Sequence, residues 1–205
     1  MIVLIGGSGF IGKVISNKLI SEGKKFIILD KKIIPELSKY TKMLDINNYE
    51  TLERNIPEKS TIINLAAVHH DDEKKINYYK VNVDGAKNIC EIANRKNCYK
   101  IIFLSSVAVY GFAKRFADEN CKLNPFNDYG KSKKRAEEIF IEWTKNSLSN
   151  NLVIIRPTAV FGINNRGNIY NLLNQIYNGP FFMIGNGENV KSIAYVENLA
   201  DFILY

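Results

Sequence analysis

Short apolar runs alternate with longer stretches of helical spacing along most of the chain. The apolar runs are rich in β-branched residues and lie at 1–5, 26–29, 61–65, 100–104 and 152–155. Runs of this kind are typical of strands that are buried on both faces of a parallel sheet. The stretches with helical spacing lie at 10–20, around 75–96 and around 128–146. Because strands and helices alternate, the pattern predicts βαβ units with right-handed crossovers, and therefore an α/β fold with a doubly wound parallel sheet.

The pattern changes after Arg156 and Pro157, where Asn and Gly become frequent. The elements predicted beyond this point are a helix around 168–177 and strands at 181–184 and 193–196. We therefore expect two domains, 1–160 and 161–205, of which the second is the start of a smaller lobe. Residues 199–205 keep an apolar helical pattern with no cap or polar tail, which indicates that this lobe is truncated.

Composition excludes several classes of protein. Of the 205 residues, 46% are hydrophobic and 24% are charged, which is the balance of a globular domain and not of a disordered or fibrous chain. No apolar stretch approaches the ~18 residues of a membrane span, and the first charged residue, Lys13, comes too late for a secretory signal. Three cysteines without Cys-x-x-Cys spacing disfavour a disulfide framework or a zinc site. We expect a reducing cytoplasm.

The net charge of +7 raises the question of a charged partner. Part of the excess lies in short basic clusters at 24–25, 31–32 and 131–135. A positive field could steer a nucleic acid or a phosphorylated small molecule. Solvated lysines on helix faces explain most of these clusters better, and no basic motif interleaved with aromatic residues indicates nucleic-acid binding. Charge alone therefore does not identify the partner.

A glycine-rich turn joins the first predicted strand to the first predicted helix. It satisfies G-x-x-G-x-x-G from Gly6 and G-x-G-x-x-G from Gly7. Such glycines allow a tight turn and a close approach of a pyrophosphate to the N–H groups at a helix N-terminus. Asp30, at the end of the second strand, would accept hydrogen bonds from ribose hydroxyls and disfavour a 2′-phosphate, a preference that Lys31 and Lys32 weaken. This context predicts a dinucleotide site that favours NAD over NADP.

Two further segments lie where a dinucleotide would pass. Asp45 and Ile46 fall in the region of a third strand that would flank the adenine. Leu65, Ala66 and Ala67 place small and apolar residues at the end of another strand. On their own, these residues are as consistent with core and loop as with cofactor contacts.

A tyrosine and a lysine lie four residues apart in the last long helix predicted for the first domain. Tyr129 and Lys133 therefore share one helix face. Tyrosine is a poor base at neutral pH, but a nearby ammonium and a positive nicotinamide would stabilise the phenolate and lower its pKa. The alternative for such a pair alone is an ordinary surface contact. Ser105 and Ser106 follow a predicted strand at the edge where open parallel sheets bind ligands, so a serine hydroxyl could share the substrate hydroxyl that Tyr129 deprotonates.

Five motifs thus follow one another along the chain. They are the glycine turn at 6–12, Asp30, the segment 64–67, the segment 105–111 and the Tyr129-x-x-x-Lys133 pair. In this order they resemble the extended short-chain dehydrogenase/reductase family, and within it the NAD-dependent nucleotide-sugar epimerase/dehydratase branch typified by UDP-glucose 4-epimerase. The resemblance covers essentially the whole chain. It implies a Rossmann domain that binds NAD, a smaller lobe that binds a nucleotide-diphosphate sugar, and a homodimer formed by the helices around 75–96 and 128–146.

The resemblance also implies roles for individual residues. Ser106 corresponds to the catalytic serine, Tyr129 to the base, and Lys133 to its partner, which also holds the nicotinamide ribose. Asn82 matches an asparagine that supports the active-site backbone, a role compatible with a purely structural hydrogen bond. The positions implied in cofactor binding are Gly6, Gly9, Phe10, Ile11, Gly12, Asp30, Lys31, Asp45, Ile46, Leu65, Ala66, Ala67, Asn82, Tyr129, Lys133 and Pro157. The positions implied in substrate binding are Ser106, Asn171, Leu172 and Lys191.

Some residues depart from the pattern of the family. Val107 and Ala108 stand where its dehydratases tend to carry an Asp-Glu pair, which disfavours dehydration. Ala159 replaces an asparagine, and Lys191 replaces an arginine and would contact a phosphate as a point charge, so the identity of the nucleotide sugar is open. Two histidines and two aspartates at 69–72 could suggest a metal, but a loop beside the cofactor is favoured, and the resemblance implies no metal.

The sequence thus favours C4 epimerisation of a nucleotide-diphosphate sugar through a transient 4-keto intermediate, with NAD regenerated in each cycle. Tyr129 would remove the proton of the 4-hydroxyl, Ser106 would hold the alcohol, and Lys133 would keep Tyr129 ionised. Two alternatives are open. One is a nucleotide-sugar 4-keto reductase or dehydrogenase, which would use the same residues and consume its cofactor. The other is a non-catalytic dinucleotide-binding module, which has no need of all three residues.

Overall fold

The computed structural model describes residues 1–68, 78–112, 117–179, 181–182 and 185–205. These residues divide into two units, Met1–Arg156 and Pro157–Tyr205. The boundary that the sequence predicts lies a little further along, after residue 160. Within the described ranges, no helix combines the length and the apolar character needed to cross a membrane.

A six-stranded parallel sheet organises the first unit. Its strands are β1 (Ile2–Ile5), β2 (Phe26–Asp30), β3 (Thr41–Met43), β4 (Thr61–Asn64), β5 (Lys100–Leu104) and β6 (Asn151–Ile155). They lie in the order β3-β2-β1-β4-β5-β6, and every neighbouring pair is parallel. The strand order reverses between β1 and β4, which is the point where doubly wound sheets bind ligands. The prediction of a doubly wound α/β fold of the Rossmann type is confirmed.

Four α-helices accompany these strands in the described part of the first unit. They are α1 (Phe10–Ser21), α2 (Tyr49–Asn55), α3 (Gly85–Arg95) and α4 (Asp128–Thr144). The other helical segments are the 3-10 turns Pro35–Tyr40 and Val107–Tyr110 and the π-helical segment Tyr79–Asp84. The stretch predicted as helical around 75–96 is helical from Tyr78 to Arg95, but its first part is π-helical and not α-helical. A hydrophobic period does not register the wider turn of a π-helix, which here buries Asn82 and Val83.

The largest group of buried residues joins one face of the sheet to α3 and α4. Val3 and Ile101 on the sheet are fully buried together with Ile89 of α3 and Phe140 of α4. Burial of each such side chain contributes about 1.5–3 kcal/mol. Leu4, which points to the opposite face of β1, is fully buried as well. Burial on both faces explains why the strands read as continuous apolar runs.

Two short elements of the first unit were predicted only approximately or not at all: a third strand was expected near Asp45, just after β3, and α2 was not predicted. β3 is three residues long, and two of these residues are exposed, so it contains no apolar run. It forms because it pairs with the edge of β2. α2 spans seven residues and buries Leu52, which is too little for a helical period to be visible. Because β3 is not among the apolar runs, the fourth run, at 100–104, corresponds to β5.

The second unit contains two short strands and two helices in its described residues. They are β7 (Ala159–Phe161), β8 (Ile193–Tyr195), α5 (Asn168–Asn178) and α6 (Val196–Leu204). β7 and β8 pair in parallel. The strand predicted at 181–184 is not formed at Phe181 and Phe182, whose exposed rings have no strand beside them there; residues 183–184 lie outside the described residues. β7 was not predicted, since three residues are too few for a pattern.

Candidate active site

The glycine-rich turn between β1 and α1 brings two backbone segments into contact. Gly6 has a φ of 80°, a left-handed conformation that glycine adopts without steric cost. A Cβ at Gly6 would lie 2.6 Å from the backbone nitrogen of Ala66, and a Cβ at Gly12 would lie 2.5 Å from the Cα of Gly7. A Cβ at Gly9 would lie 3.4 Å from its nearest neighbour, the Gly6 carbonyl oxygen. Close packing therefore requires glycine at Gly6 and Gly12 more strictly than at Gly9.

The N-terminus of α1 has the properties of an anion site. Its N-cap residue, Gly9, provides no side-chain cap, and its first turn contains no acidic residue. The N–H groups at a helix start, here those of Phe10, Ile11 and Gly12, have no partner inside the helix and carry partial positive charge. Because no side chain intervenes, the turn fits the pyrophosphate of a dinucleotide.

Asp30 lies beside this turn at the carboxyl end of β2. Its carboxylate accepts hydrogen bonds from the backbone N–H of Ser8, at 2.9 Å, and of Lys32, at 3.0 Å. Lys31 forms an ion pair of 3.0 Å with Asp45, so its ammonium is held there. Burial raises the pKa of Asp45, but bonds from a backbone N–H and from Lys31 outweigh burial and lower that pKa overall. The structure thus places three of the predicted cofactor residues at one sheet edge.

Other predicted cofactor residues lie at the end of β4 or in the core. Residues 65–67 are half-buried after β4, and Ala66 lies against Gly6. Ile46 is buried in the hydrophobic core, and a Cβ at Gly85 would lie 2.8 Å from its side chain. Any contact of Ile46 with a cofactor would therefore run through its backbone.

The predicted serine and tyrosine meet where β5 ends and α4 begins. Ser106 caps the 3-10 turn Val107–Tyr110, and its Oγ accepts a hydrogen bond from the N–H of Ala108 at 3.2 Å. Burial raises the pKa of Tyr129, and the nearby side chain of Ser106 acts in the opposite direction by stabilising the phenolate. The lowering expected from Lys133 and a nicotinamide concerns the loaded site and stays a prediction.

Lys133 lies one turn further along the same face of α4. It is 1% exposed, its Nζ donates a hydrogen bond of 2.7 Å to the carbonyl oxygen of Leu104, and it lies 4.7 Å from the centre of the Phe103 ring. Burial lowers the pKa of Lys133 to about 7, although the charge of Glu137 acts to raise it. A lysine with this pKa changes its charge close to neutrality.

Asn82 supports the backbone of α4 from the π-helical segment. It is 3% exposed, and its amide donates a hydrogen bond of 2.9 Å to the hydroxyl of Ser132. That hydroxyl donates in turn to the carbonyl oxygen of Tyr129 at 2.7 Å. The ring of Tyr78 packs edge-on against Tyr129, with ring centres 6.0 Å apart. Asn82 is thus connected, through the hydroxyl of Ser132, to the backbone of Tyr129, the residue that carries the phenol.

Two charged residues of this region were missed by the sequence interpretation. Glu137 is 1% exposed and lies four residues after Lys133. Its carboxylate accepts hydrogen bonds from Arg156, at 3.0 Å from Nε and 2.7 Å from Nη2, and from the hydroxyl of Ser105. Arg156 also donates to the hydroxyl of Tyr110 at 2.7 Å. No sequence signal singled them out, because Glu137 is one of several charged residues along its helix and Arg156 follows the strand predicted at 152–155.

The remaining predicted site residues belong to the second unit or lie outside the description. Pro157 is its first residue, and Asn171 and Leu172 lie on α5, whose described side chains are exposed. Lys191 is exposed in the segment before β8. Their roles toward cofactor and substrate stay predictions. The segment 69–72 is outside the described residues, so its assignment to a loop is untested.

A family model and two curated relatives match this chain over nearly its whole length. The family model described as NAD dependent epimerase/dehydratase matches residues 2–205. An N-acetyl-α-D-glucosaminyl-diphospho-ditrans,octacis-undecaprenol 4-epimerase of Escherichia coli O157:H7 is 44% identical and aligns with 100% of this chain and 62% of its own length. A UDP-glucose 4-epimerase of Vibrio cholerae is 30% identical, with 99% of this chain and 65% of its own length aligned.

A solved structure supports the fold. The crystal structure of a UDP-glucose 4-epimerase from Thermotoga maritima superposes with a TM-score of 0.85 at 22% identity, and the match covers 99% of this chain and 72% of that one. The present chain therefore spans somewhat less than two thirds of the length of the curated relatives just described.

Proposed function

The chain belongs to the NAD-dependent epimerase/dehydratase family, and from that premise we propose that it epimerises C4 of a diphosphate-linked sugar. NAD is the cofactor of the family. The observation that carries the proposal is that the side chain of Ser106 acts on the phenol of Tyr129, which lies at the start of the helix that also buries Lys133. The carboxyl end of β5 lies at the same sheet edge as the glycine turn, because β1 and β5 run parallel to the same neighbour, β4.

Each member of this group has a separate task. Tyr129 takes the proton of the sugar 4-hydroxyl and later returns it to the same oxygen on the other face of the sugar. Ser106 donates its hydrogen bond to the reacting oxygen and so holds it near the phenol. Lys133 supplies the positive charge that favours the phenolate. When bound, NAD would supply reversible hydride transfer at C4, with no net oxidation or reduction over a cycle.

The same edge of the sheet supplies the groups that would hold NAD. The N–H groups at the start of α1 would bind the pyrophosphate, and Asp30 would accept hydrogen bonds from ribose hydroxyls. Lys31 is paired with Asp45, which keeps its ammonium from a 2′-phosphate and supports a preference for NAD. Residues 65–67 would line the dinucleotide after β4, and Lys133 would also hold the nicotinamide ribose.

Two substrate classes come from the relatives. UDP-sugars are named for the Vibrio cholerae enzyme, and a nucleotide-diphosphate sugar is the first candidate, with contacts at Asn171, Leu172 and Lys191. A polyprenyl-diphosphate sugar is the second, because it is the substrate named for the 44% identical relative. Both share the diphosphate-linked hexose on which Tyr129 and Ser106 would act.

Substitution of the tyrosine tests this proposal. Tyr129→Phe is expected to lower turnover by about 10²–10⁴-fold, because it removes the group that moves the proton, while NAD still binds. Tyr99→Phe, on a ring that is 45% exposed, is the matched control. The assay follows interconversion of UDP-linked and undecaprenyl-diphosphate-linked hexoses by NMR, with absorbance at 340 nm recorded in parallel. Full activity of the Tyr129→Phe variant would show that Tyr129 is not the catalytic base. Consumption of one added NADH for each sugar converted would favour a reductase.

A homodimer through α3 and α4 and a cytoplasmic location complete the proposal. The apolar stripes of both helices pack into the core against the sheet, and the support for a dimer is Ile141 of α4, an apolar side chain that is 45% exposed. The three cysteines, which all lie in the described part of the chain, are free thiols, as is usual in a reducing compartment. Sedimentation of the purified protein tests the dimer.

A further inference from the structure

We propose that Glu137 is a positioning residue of this active site, which supplies the counter-charge of Lys133 while Arg156 holds its carboxylate away from direct pairing with that lysine. This inference deepens the proposed function and rests on it for the role of Lys133. It assigns work to a buried acid–base pair that the catalytic group of serine, tyrosine and lysine does not use.

The position of Glu137 on α4 supports the proposal. Tyr129, Lys133 and Glu137 are spaced by four residues, so they form one row along the helix. Side chains four residues apart have Cβ atoms about 5–6 Å from each other. Lys133 and Glu137 are each 1% exposed, so their interaction is screened little by water.

The partners of the carboxylate explain why it does not bind the ammonium directly. Arg156 grips both of its oxygens, with Nε on Oε1 and Nη2 on Oε2. Ser105 donates a further hydrogen bond to Oε1. Lys133 is left to donate to the carbonyl oxygen of Leu104, the residue that precedes Ser105. The same carboxylate thus fixes the ends of β5 and β6 around the lysine.

The balance of charges around the lysine makes the glutamate decisive. The titratable and charged side chains that meet in this described cluster are Tyr129, Glu137, Tyr110, Arg156 and Tyr78. Among them Glu137 is the carboxylate, and burial already lowers the pKa of Lys133 to about 7. Loss of the carboxylate would remove the negative charge that opposes the effect of burial on the pKa of Lys133.

The experiment is a titration of Lys133 in ligand-free protein labelled with ¹³C at lysine Cε, with the resonance assigned by its absence in Lys133→Met. Glu137→Gln is expected to lower the titration midpoint by about one pH unit or more, since an opposite charge at this range shifts a pKa by that amount. Glu138→Gln is the control, because that neighbour is exposed and pairs with Arg135. It should leave the midpoint unchanged. An unchanged midpoint in folded Glu137→Gln overturns the proposal.

A second variant decides the question if Glu137→Gln does not fold. Arg156→Lys keeps the charge but loses the two-point grip, so the carboxylate can turn toward Lys133 and raise its midpoint. No rise in folded Arg156→Lys would overturn the proposal.

The rate profile provides the functional readout. In Glu137→Gln, the pH at which turnover falls on the alkaline side should decrease in parallel with the titration midpoint of Lys133. In Glu137→Asp, which keeps the charge, this pH should return most of the way to the wild-type value. A general loss of rate without this movement means a structural role only and overturns the proposal. Because the titration needs neither cofactor nor substrate, its result stands apart from that of the Tyr129→Phe assay.

Discussion

The glycine turn and the buried end of α4 lie at the same edge of one sheet but are built by different means. At the turn, the recognition groups are backbone N–H groups, and side chains contribute mainly by their absence at Gly6 and Gly12. At α4, the groups are long charged side chains, Lys133 and Glu137, which are almost completely buried. The first region depends on shape, and the second depends on a balance of charges that only the folded protein assembles.

The comparison predicts that the second region is the more sensitive to loss of a single side chain. Arg156→Met removes the arginine that is hydrogen-bonded to both oxygens of buried Glu137 and should cost about 3–5 kcal/mol of unfolding free energy, because breaking a buried ion pair by removing one partner is strongly destabilising. Arg135→Met removes the ion pair between Arg135 and Glu138, which has the same length of 2.7 Å. In this pair the side chain of Arg135 is 58% exposed and that of Glu138 is 45% exposed. That loss should be about 1 kcal/mol or less.

Urea denaturation of the two arginine variants provides the measurement. Equal losses of stability would show that the Glu137–Arg156 pair contributes no more than a surface pair. The buried end of α4 would then be no more sensitive to the loss of a charged side chain than the protein surface is.

The shape of the turn can be tested by adding one methyl group. Gly6→Ala forces a Cβ to within 2.6 Å of a backbone atom at a positive φ and should cost about 1–3 kcal/mol. Because the displaced turn carries the N–H groups expected to bind the pyrophosphate, NAD affinity should drop by about tenfold or more. Gly9→Ala, where the nearest atom is at 3.4 Å, should change affinity by less than about threefold.

Calorimetric titration with NAD compares the two glycine variants. Wild-type affinity in Gly6→Ala, or an equal loss in both, would contradict the packing argument for the turn.

The same contrast explains what could be predicted from sequence. The strands around Val3 and Ile101 could be predicted because burial on both faces leaves continuous apolar runs. The turn could be predicted because closely spaced glycines between a strand and a helix are typical of a dinucleotide site. The third strand was placed only approximately, near Asp45, because the residues of β3 are stabilised by pairing with β2 and form no apolar run.

The charged cluster was missed for a related reason. Lys133 was identified through its spacing from Tyr129, but Glu137 looked like one more charge on a helix. Its partner Arg156 is 19 residues away in sequence, so only the folded chain reveals the pair. The π-helical turn that buries Asn82 was hidden in the same way, since one extra residue in a turn leaves no mark in a periodic pattern.

The most direct test of the central claim is the identity of the dinucleotide that the purified protein carries. Denaturation followed by mass spectrometry of the released nucleotides measures it without any choice of substrate. We expect NAD(H) and not NADP(H), because Asp30 would accept hydrogen bonds from the ribose hydroxyls and Lys31 is paired with Asp45. Release of NADP(H), or release of neither dinucleotide together with no rise in the thermal midpoint on addition of NAD⁺, would contradict it.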